Sequence, residues 1–141
     1  MQKVKRGLYL LVQCTWGLLQ TLVGLGFFIA NRKCAHGWYR CAMDTKWNAK
    51  GGLSLGMFIF TPKDEVPNAR LIRVHEYGHT IQALLLGPLM LLVGIISVAW
   101  GSIPYFARLR WEKQLPYTAC FAEYWASAWG EWVTGEKAIW Q

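Results

Sequence analysis

Histidine is scarce in this sequence, with His36, His75 and His79 alone among 141 residues, and aspartate is scarcer, with only Asp44 and Asp64. Three His are too few for the many-His clusters of membrane desaturases. The single Glu-x-x-His pair, Glu76 with His79, is one short of what a di-iron carboxylate bundle needs. Cys14, Cys34, Cys41 and Cys120 form no C-x-x-C, which excludes a zinc knuckle. Cys34 and Cys41 share one loop and would pair only in an oxidising compartment, so all four read as unassigned thiols. No internal repeat or low-complexity segment occurs. No nucleic-acid motif accompanies the net charge of +7, and lipid head groups account for a basic surface that flanks apolar segments.

Charge is also missing from two long stretches. Gly7 to Ala30 holds no charged residue, and about 20 apolar residues cross a hydrocarbon core. Lys3, Lys5 and Arg6 precede it as in a signal peptide, but the run is longer than a signal core and no A-x-A-like site follows. It reads as a retained membrane helix over 7–30, with Gln13, Thr15, Gln20 and Thr21 turned toward protein. A second membrane segment is read over 84–107, broken near Gly87-Pro88 and Pro104. Arg108, Arg110 and Lys113 close it. The 9 Trp suit a membrane–water boundary, where an apolar ring and a polar N–H are both satisfied. Basic residues flank the first segment on both sides, Lys3, Lys5 and Arg6 before it and Arg32, Lys33, Arg40 and Lys46 after it, so the positive-inside rule does not decide its orientation.

Between the apolar runs, residues 36–61 read as a small β-hairpin about the turn signal Gly51-Gly52, with Leu53 to Phe60 the stronger strand. Asn68 is a helix cap for a helix over 68–86. Pro116 opens a last helix over 116–130.

The helix over 68–86 carries His75-Glu76-Tyr77-Gly78-His79, an H-E-x-x-H. Residues four apart share one helix face, so both imidazoles can bind one zinc, which accepts neutral nitrogen ligands and tolerates an open position. Glu76 then stands beside the open side, where it can take a proton from an attacking water. With so few His and Glu, this spacing arises by chance about twice in a thousand such sequences. A hydrolytic zinc needs a third protein ligand. Glu123 is the candidate, because an unpaired carboxylate in an apolar, aromatic helix is costly. His36 is the runner-up, read otherwise as an interfacial loop residue. Gly78 offers a bare surface for another element, and Tyr105, Tyr117 and Tyr124 are candidate donors to a developing oxyanion.

His75-Glu76-x-x-His79 followed by Glu123 on a later helix resembles the gluzincin metallopeptidases, and within them the membrane-embedded Ste24 and HtpX type. The blocks SLGMFIF, HEYGHTIQ, LLGPLMLLVGIISVAWGS and AEYWASAWG resemble a family of small bacterial membrane proteins, over roughly Ser54 to Gly130. The resemblance implies zinc on His75, His79 and Glu123, with Glu76 as general base. In gluzincins a carboxylate or amide after the ligand Glu often orients a zinc His; here Ser127 stands nearest. An intramembrane protease of the site-2 type would take an Asp after the motif, and both Asp precede it.

The expectation is therefore a single, mainly α membrane domain of the bacterial inner membrane. It has two hydrophobic membrane segments, a small β-hairpin, a zinc-site helix and a later ligand helix. Its partners are the lipid bilayer and a peptide or membrane-protein substrate, with no nucleic acid; a homo-oligomer would supply walls that so short a chain lacks. The rival reading is an inert metal-binding membrane scaffold.

Overall fold

In the computed structural model, which describes residues 1–141, the first charge-free run forms two helices rather than one. Helix α1 spans Gln2–Thr15 and α2 spans Leu18–Ala30, with a bend of 101° between them. The expected membrane helix over 7–30 is therefore bent in two, and the helix clearly long and apolar enough to cross a membrane lies elsewhere in the chain. Polar side chains make the corner. The Gln13 amide donates to the Thr80 carbonyl (3.1 Å), the Gln20 amide to the Gly87 carbonyl (2.9 Å), and the Thr21 hydroxyl to the Gln13 carbonyl (2.8 Å). Gln13, Gln20 and Thr21 are buried, as a protein-facing side requires. Thr15 differs: it is exposed and donates to its own helix at the Leu11 carbonyl.

Four strands follow where one hairpin was expected. They are β1 (His36–Tyr39), β2 (Ala42–Trp47), β3 (Leu53–Leu55) and β4 (Phe58–Pro62), in the order β1-β2-β4-β3. The tight turns lie elsewhere than Gly51-Gly52. Arg40, at φ 55°, joins the antiparallel pair β1–β2, and Gly56, at φ 61°, lies between the antiparallel strands β3 and β4. Gly56 packs so closely on Thr21 that no Cβ would fit. Gly51-Gly52 links β2 to β3, which are not neighbours, because β4 pairs in parallel with β2 between them. Every residue of β4 is buried, and its unbroken Phe58-Ile59-Phe60 run suits a strand covered on both faces.

Helix α3 spans Ala69–Leu86. Asn68 holds the cap position, but its backbone is left-handed and its side chain makes no capping bond. At Gly87, φ 53°, the Trp16 indole occupies the space a side chain would need. After a 3-10 turn over Gly87–Leu89 the chain continues as α4 (Met90–Ser102). The helical stretch Ala69–Ser102, 34 residues, is long and apolar enough to cross a membrane, and only 22% of its most apolar part is buried. It ends before the expected 107, since Ile103 is extended and Pro104 starts α5 (Pro104–Lys113). A 3-10 turn, Tyr117–Ala119, precedes α6 (Phe121–Thr134). Helix accounts for 62% of the chain, so the mainly α expectation holds.

Helices α3 and α6 approach backbone to backbone. A methyl on Gly78 would strike the Ala126 carbonyl, and one on Gly130 the Val74 carbonyl. This seam sets the distance across which the motif helix meets Glu123. Under it, Tyr9, Ala42, Ile59 and Tyr77 form the apolar core that ties α1 and the sheet to α3.

Candidate metal centre

His75, Glu76 and His79 lie in the middle of α3, and Glu123 lies in the first turn of α6. The close seam turns these faces together. Imidazole nitrogens of His75 and His79 and a carboxylate oxygen of Glu123 lie within 4.8 Å of one another, all buried. Sequence spacing picked out these three residues, and the fold brings them to one point. His36 does not join them. It is exposed on β1, with its ring edge-on to Phe28 and Nδ1 on the Cys34 carbonyl.

The hydrogen bonds around each ring fix its tautomer. The Ser127 hydroxyl gives its one proton to the Ile139 carbonyl at 2.5 Å. Its oxygen, 2.8 Å from His75 Nδ1, can then only accept, so Nδ1 carries the proton. The Gln82 amide nitrogen donates to the Ala122 carbonyl (3.0 Å), which turns its oxygen to His79 Nδ1 (2.7 Å). That Nδ1 is also the donor. Both Nε2 atoms are left as acceptors, and both face one oxygen, Glu123 Oε2, at 2.9 Å and 3.3 Å. Three acceptors converging on one buried point repel unless a cation lies between them. The donor set, two neutral imidazoles and a carboxylate, is one that divalent zinc accepts.

In the metal-free site a proton on Nε2 takes the cation's place. Burial alone would push the Glu123 carboxyl up, but hydrogen bonds from the protonated rings of His75 and His79 hold it well below the ordinary carboxylate range. Glu123 is only 2% exposed, and Glu76 is 7% exposed. Glu76 lies against the backbone of Gly52, where a Cβ would collide with its carboxylate. Gly52 leads into β3, an edge strand of the sheet, so this edge begins beside Glu76.

Of the three tyrosines considered, Tyr105 and Tyr124 are exposed. Tyr117 is partly buried, rests on Gly101 and donates to the Ser97 carbonyl at 3.2 Å. Burial, followed by the neighbouring carboxylates of Glu123 and Glu76, pushes its hydroxyl up, so it stays a donor. Ser127 stands one turn after Glu123, where the resemblance called for an orienting group. Gln82 was not singled out from sequence, although it lies three residues after His79 on the same helix face. The Ile139 carbonyl, a backbone atom, has no sequence signal.

No protein-family model, curated protein or solved structure matches this chain. A functional reading therefore rests on the geometry of the site.

Proposed function

We propose that this chain is a membrane-integral zinc metallopeptidase of gluzincin type, with His75, His79 and Glu123 as ligands and Glu76 as general base. The observation that carries the reading is the convergence of two imidazole Nε2 atoms, each with its Nδ1 committed elsewhere, on one buried Glu123 oxygen. Zinc bound there would polarise a substrate carbonyl and acidify a water. The chain supplies the rest. The Glu76 carboxylate accepts a proton from the attacking water and returns it to the departing amine. Tyr117, by turning its hydroxyl away from the Ser97 carbonyl, would supply a donor for the oxygen that gains charge. The β3 edge, beginning next to Glu76, suits an extended peptide that adds as a strand.

The apolar stretch Ala69–Ser102 supports residence in a bilayer, as do exposed Leu85, Leu92, Ile95 and Val98 along it. The resemblance to small bacterial membrane proteins points to the inner membrane and to peptide or membrane-protein substrates, with a second copy completing the cleft. One observation favours the rival, an inert metal-binding membrane scaffold: the ligands and Glu76 are all buried, so a substrate needs an opening that this conformation lacks.

Metal analysis of detergent-purified protein, joined to a proteolysis assay, separates these readings. About one zinc per chain is expected, lost on joint replacement of His75 and His79 by Ala and sharply weakened by Glu123→Ala. Glu76→Gln should keep the zinc while hydrolysis falls by about 10²–10⁴-fold. Stoichiometric zinc surviving the double replacement sinks the site. A zinc-loaded wild type that cleaves no faster than Glu76→Gln leaves the scaffold.

A further inference from the structure

Helix α6 ends at Gly135, φ 71°. The chain then runs back along the helix in extended form, and its bonds are unusually dense for a segment without helix or strand. The Ala138 N–H and the Trp140 indole N–H both donate to Glu131 Oε1, at 3.0 Å and 2.9 Å. The Thr118 hydroxyl donates to the Trp140 carbonyl (2.9 Å), and the Tyr124 ring stands edge-on to Trp140. Ala138 is buried. Ordering an extended segment costs conformational entropy at each residue, so anchoring on this scale calls for a structural return. The return is the Ile139 carbonyl, which these anchors hold at the Ser127 hydroxyl.

We infer that the segment 137–141 is a built part of the metal centre, which through Ser127 holds His75 in the tautomer that offers Nε2 to the ion. A carbonyl only accepts, so it claims the single Ser127 proton and leaves His75 Nδ1 as the donor. Without the segment, the Ser127 hydroxyl is free to donate to Nδ1. The ring proton then moves to Nε2, which becomes a donor to Glu123 Oε2, 2.9 Å away. That arrangement satisfies His75, Ser127 and Glu123 with no metal, and it withdraws one ligand atom. The segment is thus a positioning element that decides between a metal-ready and a metal-free hydrogen-bond pattern. His79 lies outside this control, because Gln82 and the Ala122 carbonyl set its tautomer. The inference rests on the metal-binding half of the proposed function and does not require peptidase activity.

The test uses the full chain in detergent, with Glu131→Ala to release two anchors, Glu131→Gln to retain an acceptor oxygen, and a deletion of residues 137–141. Two quantities are read: zinc affinity by chelator competition, and the Nδ1–H signal of each imidazole by NMR. Glu131→Ala and the deletion should weaken zinc by about 10–100-fold, the usual effect of losing an outer partner of a ligand. The His75 Nδ1–H signal should be lost in both, because its proton has moved to Nε2, while that of His79 remains, and Glu131→Gln should restore both readouts. Unchanged zinc affinity and an unchanged His75 Nδ1–H signal in Glu131→Ala overturn the inference, and so does equal loss of that signal at the two rings. If the deletion does not fold, the Glu131 pair decides alone. If the wild type binds no zinc, the metal reading fails, and the comparison of Nδ1–H signals in metal-free protein still decides this one.

Discussion

At the scale of single residues, the site depends on groups that never touch a metal. Gln82 is the clearest. Its amide bridges His79 Nδ1 and the Ala122 carbonyl, joining the imidazole on α3 to the backbone of the helix that carries Glu123. Gln82→Ala should weaken zinc by about 10–100-fold with little change in the helical signal, read by chelator competition and circular dichroism. Gln82→Glu, which keeps an acceptor oxygen at Nδ1, should weaken it less. Glu123 sets the acid limit of the metal-free protein. Its folded carboxyl is held below the ordinary value of 4.5, so its stabilising effect is full above about that pH and is lost as pH falls further. Thermal unfolding of metal-free protein between pH 6 and pH 3 should show this decline, and Glu123→Gln should flatten it. The three side chains that converge were legible in sequence for physical reasons. Four-residue spacing puts two His on one helix face, and a lone carboxylate in an apolar helix demands a partner. Gln82 obeyed the same spacing logic but carries no charge to draw notice, and the Ile139 carbonyl belongs to a backbone that any residue would supply.

At the scale of elements, the motif helix was readable and the sheet was not. Periodicity and flanking breakers bounded α3 almost to the residue, because Asn68 and Gly87 both carry left-handed backbone. The strands failed for a different reason. Gly51-Gly52 has the composition of a turn, but which strands pair depends on what covers them. Burial of β4 on all its residues places it between β2 and β3, a parallel neighbour that local sequence cannot signal. The α3–α6 seam is the element that joins the fold to the site. Gly78 and Gly130 let the two backbones meet, and His75, His79 and Glu123 span that gap. Gly78→Ala inserts a methyl into the Ala126 carbonyl, an overpacking change that costs about 1–3 kcal/mol. It should lower the unfolding temperature in detergent and reduce zinc content together. Gly94→Ala, on α4 with open space around it, should do neither.

At the scale of the whole molecule, the corner between α1 and α2 bears on how the chain would meet a membrane. A straight helix over 7–30 would carry the chain across, leaving Lys3, Lys5 and Arg6 on one side and Arg32, Lys33, Arg40 and Lys46 on the other. Basic residues would then flank both faces, against the positive-inside rule. The fold removes the conflict. The α1 helix runs beside α3, with Tyr9 stacked on Tyr77 and Gln13 bonded to the Thr80 carbonyl, and α2 turns away by 101° to pack Gly24 against β3. Most directly, Arg6 before the run donates to the Arg40 carbonyl beyond it at 3.0 Å and stacks over Trp38 at 4.6 Å. Two flanks that touch lie on the same side of any bilayer. In a bilayer the first apolar run would then dip and return, with exposed Leu19, Leu22 and Val23 toward lipid, and a crossing would fall to the stretch Ala69–Ser102, which is long and apolar enough for it. In a cysteine-free background, Lys3→Cys and Arg32→Cys should react with an impermeant maleimide from the same side of sealed vesicles, and vesicles of opposite orientation should protect both. Labelling from opposite sides would mean that α1 and α2 straighten in lipid. The Arg6–Arg40 contact would then be lost, and with it the support α1 gives to the motif helix.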